Sequence, residues 1–144
     1  MTRTTTALLA LLFALTITAP AAADDEVEVG SCLRLLAQEK LAEGVRNVSS
    51  DIETLEQGAE KVYSFTLFAG NSYSFKTCAA AKVTDLDIHL YDQGGKRVET
   101  RNEVDRQPVI EIKPEATGTY YLVLRVATTE DGTAGAAGYV QLYE

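Results

Sequence analysis

Two stretches in the second half of the chain restrict its fold more than any other feature. In Asp85-Leu-Asp-Ile-His-Leu-Tyr91, the apolar residues Leu86, Ile88 and Leu90 alternate with polar ones. In Thr119-Tyr-Tyr-Leu-Val-Leu-Arg-Val126, Tyr120, Leu122, Leu124 and Val126 form one face. Successive side chains of a strand point to opposite sides, so a period of two marks a strand with one face buried. Gly94-Gly95, Pro114 and Gly118 bound these runs as turn residues. A helical fold is excluded for this half, and antiparallel sheets are required.

Weaker runs complete the pattern. Val48 to Leu55 reads as a strand, and Lys61 to Phe68 places Tyr63, Phe65 and Leu67 on one face. Ser72 to Cys78 turns Tyr73 and Phe75 inward. With Ala69-Gly-Asn71 between them, the last two segments are expected to form a hairpin. Lys96 to Arg101 and Pro108 to Lys113 follow, separated by the charged loop Asn102 to Gln107, with Ile110 and Ile112 inside. Thr129 to Gly138 reads as a small-residue loop, and Tyr139 to Tyr143 as the closing strand. About eight short strands at even spacing call for two packed antiparallel sheets.

A helix is expected ahead of them. Leu33, Leu36, Ala37 and Leu41 fall on one face between Ser31 as N-cap and Gly44 as stop. Residues 24–30 are acidic and aperiodic and are expected to be a flexible start. The expected units are therefore an export segment at 1–23, the acidic start with its helix at 24–47, and an all-β sandwich at 48–144.

The export segment rests on Arg3, the apolar run Ala7 to Ile17, and Pro20 followed by Ala21-Ala-Ala23. A basic start, a short greasy core and small residues are the parts of a secretory signal peptide. The core is too short to span a bilayer, so stable membrane insertion is not expected. Cleavage after Ala23 removes one cation from a chain of formal charge -8, leaving it more acidic still. That balance argues against nucleic acid as a partner. The export segment points to a periplasmic or secreted protein, where Cys32 and Cys78 are expected to form a disulfide. A redox or metal role for the two is disfavoured, because there is no CxxC and only one histidine.

Three motifs resemble the bacterial pre-peptidase C-terminal domain. They are Tyr63-Ser-Phe-Thr-Leu-Phe-Ala-Gly70, Asp85-Leu-Asp-Ile-His-Leu-Tyr-Asp-Gln-Gly94, and the turn and strand from Pro114 to Val126. The resemblance covers roughly residues 48–143. It implies a jelly-roll-like β-sandwich with a non-catalytic accessory role. In that family the domain often trails a secreted peptidase, and some members bind collagen or calcium. Here a helix and an export segment stand where a peptidase would.

The candidate chemistry is sparse. Asp85 and Asp87 share a strand face, and with Asp92 they are candidate oxygen ligands for calcium. The competing role is to bond turn amides. His89 lacks a matching nucleophile motif, so no enzyme activity is expected. His89, Tyr91, Tyr121, Arg125, Tyr139 and Tyr143 all alternate away from the expected core. On one sheet they would form an aromatic and cationic binding face. The resulting expectation is an exported binding module for a protein or polysaccharide partner of the cell envelope or exterior, with no obligate cofactor. The alternative is a calcium-stabilised structural or secretion-assisting module. Nothing in the sequence fixes an oligomeric state.

Overall fold

The computed structural model describes residues 21–143. One helix precedes eight strands: α1 (Ala21–Ala42), β1 (Arg46–Leu55), β2 (Glu60–Leu67), β3 (Tyr73–Ala79), β4 (Val83–Tyr91), β5 (Arg97–Arg101), β6 (Val109–Ile112), β7 (Gly118–Thr129) and β8 (Gly135–Tyr143). The strands form two four-stranded antiparallel sheets, ordered β1-β8-β3-β6 and β2-β7-β4-β5. That order is a jelly roll, as the alternating runs and the family resemblance implied. Of the expected export segment, only Ala21–Ala23 fall within the described residues, and they are helical. Among the described residues, no helix is long and apolar enough to cross a membrane.

The sandwich interior is built from the residues whose alternation is clearest. Leu86, Ile88 and Leu90 from β4 and Leu122, Leu124 and Val126 from β7 are fully buried, and they meet Phe75 and Ile110 of the opposite sheet. A second apolar cluster lies on the outer side of the β1-β8-β3-β6 sheet. There Val29, Leu33 and Ala37 of α1 cover Cys78, Ala80, Ala136, Val140 and Leu142. Strand β8 is therefore buried on both faces, with odd-numbered side chains toward the sandwich and even-numbered ones toward the helix. Cys32 and Cys78 are bridged, with Cα atoms 6.2 Å apart, and the bridge ties α1 to β3.

Four expectations need correction. The first is the hairpin: β2 pairs with β7, whereas β3 pairs with β6 and β8 in the other sheet. The segment between them crosses from one layer to the other. Phe65 and Phe75 instead meet across the interior, with ring centroids 5.0 Å apart. An inward alternation serves two strands facing across a core as well as two strands side by side.

Second, residues 24–30 are helical. Their acids bond to the sheet: Asp25 pairs with Lys82 at 3.2 Å, Glu26 accepts from the Thr54 hydroxyl at 2.8 Å, and Glu28 accepts from the Ala81 N–H at 3.2 Å. Ser31 consequently sits inside the helix and donates to the Val27 carbonyl. Gly44 does act as the stop. With φ at 88°, it closes a Schellman turn in which the Val45 N–H reaches the Lys40 carbonyl at 3.1 Å and the Gly44 N–H reaches that of Leu41 at 3.1 Å.

Third, Leu41 is 52% exposed. Positions four apart drift about 40° around a helix. The buried series Val29, Leu33, Ala37 has therefore rotated off the sheet by the time it reaches residue 41. Fourth, only residues 130–134 of the expected loop at 129–138 connect strands; Thr129 ends β7 and Gly135 to Gly138 open β8. Its small residues admit the helix rather than loosen the chain: a Cβ on Gly138 would lie 2.5 Å from the Asp51 carbonyl oxygen and 3.0 Å from Leu33.

Candidate functional site: an aromatic groove between the edge strands

The two sheets part where their edge strands β1 and β2 face each other. The inner face of β1 is polar there, carrying Ser49, Asp51 and Glu53, so no apolar packing closes the gap. A groove of about 690 Å³ opens at this edge. Tyr73, Tyr139 and Phe65 line its floor, Tyr143 and Phe68 its end, and Arg46, Ser49 and Gln141 its β1 side. Ser64 and Thr66 contribute from β2, and Asn71 from the segment after it.

Local backbone features build this wall. The β1–β8 register shifts between Asn47 and Ser49, pairing Arg46 with Tyr143 and Ser49 with Gln141. Directly paired residues share a face, so the bulge brings Arg46 and Ser49, three apart in sequence, to the same side. Gln141 is 2% exposed, and the Ser49 hydroxyl bonds to its side-chain oxygen at 3.0 Å. The opposite end is held by the tyrosine floor. The Phe68 N–H donates to the Tyr73 hydroxyl at 3.1 Å, the Ala69 N–H to Thr117 Oγ1 at 2.9 Å, and the Gly70 N–H to the Pro114 carbonyl at 3.1 Å. The positive φ of Gly70, 81°, permits that turn. Phe68, 54% exposed, is thereby presented to solvent from an anchored segment.

Aromatic rings run inward from the groove. Tyr139 meets Phe65 edge-on at 5.4 Å and Tyr63 at 4.6 Å, and Tyr73 meets Tyr143 at 5.5 Å. The Tyr63 hydroxyl is buried without a hydrogen-bond partner among the described residues. Burial, then the charges of Asp51 and Glu53, push its pKa far above that of a free phenol. Burial also raises that of Tyr139, against the neighbouring Ser49 hydroxyl, which lowers it, and with the Asp51 charge adding to the rise.

The six residues expected on one outward face divide between two places. His89, Tyr91, Tyr121 and Arg125 do share the outer face of the β2-β7-β4-β5 sheet, where Tyr91 pairs with Tyr121 and Asp87 with Arg125. His89 is bonded through Nδ1 to Thr100 Oγ1. Tyr139 and Tyr143 belong to the other sheet and point inward, Tyr139 with 5% exposure. The counting error follows from placing the start of β8 at Tyr139. With its small residues included, the strand runs from Gly135 and the odd positions face the core.

The candidate calcium acids are likewise separated. Asp85 and Asp92 lie at opposite ends of β4, a span of roughly 20 Å for an extended strand. Asp92 accepts from the Gly94 and Lys96 N–H groups, each at 2.9 Å, and so closes the β4–β5 turn. Asp85 accepts weakly from the Asp105 N–H at 3.4 Å, and Asp87 faces Arg125 at 3.7 Å. Burial raises the Asp87 pKa first, Asp85 adds to the rise, and Arg125 and His89 oppose it. Among the described residues, no three His, Cys, Asp or Glu side chains are placed to hold a metal ion together.

Sequence reasoning missed Arg46, Ser49, Phe68, Asn71, Tyr73 and Gln141 as site residues. One signal was present: the inner face of β1 is polar, as it is in only one other strand, β5, where Glu99 and Arg101 pair with Leu90 and Ile88.

No family model matches the chain, and no curated protein matches it in sequence. Among solved structures, the chain resembles a periplasmic lysozyme inhibitor of g-type lysozyme, PliG, from Aeromonas hydrophila. That match has a TM-score of 0.53 at 13% identity, over 71% of this chain and 90% of the inhibitor. The pre-peptidase C-terminal domain of a Bacillus anthracis collagenase matches with a TM-score of 0.47 at 15% identity, over 65% of this chain and 87% of that domain. A carbohydrate-binding module of Cellvibrio mixtus lichenase 5A, bound to cellotriose, matches with a TM-score of 0.39 at 10% identity, over 69% and 89%. At such identities the likeness is one of fold.

Proposed function

We propose that this protein is an exported, non-catalytic binding module of the pre-peptidase C-terminal type, recognising a protein or polysaccharide in the periplasm or outside the cell. The observation that carries this reading is the aromatic groove at the β1–β2 edge. Its volume, about 690 Å³, lies within the range of ligand sites, and its lining mixes aromatic surface with a few convergent polar groups. The Cys32–Cys78 bridge fits an oxidising compartment. The single histidine, bonded to Thr100 on the outer face of the β2-β7-β4-β5 sheet, is not turned to the groove.

Capture experiments with immobilised protein test the reading. Envelope proteins and cell-wall polysaccharide fractions are offered to the wild type, to Phe68→Ala, and to the outer-face variant Tyr91→Ala/Tyr121→Ala. Loss of capture in Phe68→Ala alone is the expected result. Loss confined to the outer-face variant would move the site to the other sheet, and no capture by any form would refute a binding role.

A further inference from the structure

We infer that the groove is a glycan site, and that its ligand is a polysaccharide carrying isolated carboxylates; this rests on the binding role proposed above. The charge of the lining is the first observation. The chain has 21 Asp and Glu against 13 Lys and Arg, yet among the described residues no carboxylate lines the groove itself and Arg46 is its one charged lining residue; Asp51 and Glu53 follow farther along the same face of β1. A basic peptide would meet Arg46 as a like charge and would find carboxylates only beyond the groove, at Asp51 and Glu53. A densely anionic polymer would meet one cation in the groove and a net negative protein around it.

The uncharged polar groups are the second observation. Ser49, Ser64, Thr66, Asn71 and Gln141 present hydroxyls and amides, groups that donate and accept alike. A sugar ring offers hydroxyls with the same dual character. Gln141 is the most constrained of them. It is 2% exposed, and among the described residues its one side-chain bond is that to Ser49. Its remaining hydrogen-bonding capacity opens on the groove and has no partner there within the protein.

The third observation is the pairing of those groups with flat apolar surface. Phe68 is exposed at the end of the groove on an anchored turn, and Tyr143 is half-buried beside it. A pyranose has an apolar face of axial C–H groups and a polar rim, and a site of aromatic floor and amide wall meets both. Arg46 has no ion-pair partner among the described residues, and its planar fork matches a carboxylate.

Titration calorimetry with three probes tests the inference: chitotetraose, which is neutral; a hyaluronan tetrasaccharide, which has a carboxylate on alternate rings; and a heparin tetrasaccharide, which is densely sulfated. The hyaluronan fragment should bind most tightly. Phe68→Ala and Gln141→Ala should each weaken chitotetraose and hyaluronan by about tenfold or more. Arg46→Gln should weaken hyaluronan by about tenfold and leave chitotetraose unchanged. Thermal melting checks that each variant is folded, and Phe68→Leu serves as a variant that keeps apolar volume without the ring. Tightest binding of heparin, or equal loss for both sugars on Arg46→Gln, would overturn the inference. So would silence toward all three sugars while Phe68→Ala still abolishes capture of an envelope protein, and in that case the binding role survives. Absence of both sugar binding and Phe68-dependent capture sinks the two together.

Discussion

Tyr63 of β2 and Tyr139 of β8 meet across the sandwich with ring centroids 4.6 Å apart, and the buried Tyr63 hydroxyl, near the Asp51 carboxylate, has no well-formed hydrogen bond among the described residues. A buried, unpaired hydroxyl carries a desolvation cost that folding does not recover. Tyr63→Phe keeps the ring contact and removes that cost. The variant should gain about 1 kcal/mol in urea unfolding at neutral pH. The gain should widen above pH 10, the ordinary phenol value, because the folded pKa is raised and ionisation then opposes folding. A destabilised Tyr63→Phe would mean that the hydroxyl is bonded in solution.

Asp87 makes a prediction of the opposite sign to most carboxylates. Its pKa is raised above 3.8, so the folded state holds the proton more tightly than the unfolded chain. Its contribution is fully present below that ordinary value and is lost as pH rises through the raised one. Asp87→Asn cannot ionise. Relative to wild type, the variant should therefore become progressively more stable as pH rises above the ordinary carboxylate value of 3.8. Unfolding midpoints across that range check it, and a relative stability that falls with pH would contradict the burial argument.

Gly138→Ala should be severely destabilising. The added methyl would meet the Asp51 carbonyl at 2.5 Å, and backbone cannot step aside as a side chain can. Overpacking of this kind costs about 2–3 kcal/mol. Gly58→Ala is a useful contrast: its cost is the φ of 83°, with no atom near the new methyl. Thermal melting of the two should separate clash from backbone strain, Gly138→Ala falling further.

Removing the bridge with Cys32→Ser/Cys78→Ser should cost up to about 4 kcal/mol, from the loop entropy of a 46-residue separation. The loss should be uneven. Hydrogen exchange should rise first across α1, whose hold on the sheet then rests on Val29, Leu33, Ala37 and the acid contacts. Uniform exchange across helix and strands would show that the helix unfolds only with the sandwich.

These features differ in how plainly the sequence announces them. Leu86 to Leu90 and Leu122 to Val126 are legible because each lies on a strand with one dry and one wet face. Strand β8 is dry on both: Ala136 and Gly138 in its opening answer to a helix that is near in space and remote in sequence, while Gly135 answers to Val83 of β4 on the other side. No period of two survives there, so the strand reads as a loop and the two tyrosines after it are assigned to the wrong side. The groove was hidden for a related reason. Arg46 and Ser49 share a face only through a bulge, and Phe68 reaches the rim only because distant Pro114 and Thr117 fix the turn behind it. Pairing across the chain decides such positions, and local pattern carries no trace of it.

The Schellman turn at Gly44 leaves Val45 alone between the helix stop and Arg46. There is no slack in that junction. Tension applied from the amino-terminal side would nevertheless leave the helix at Cys32 and pass through the covalent bridge into β3, so the disulfide shields Val45 and the guanidinium wall of the groove from mechanical load.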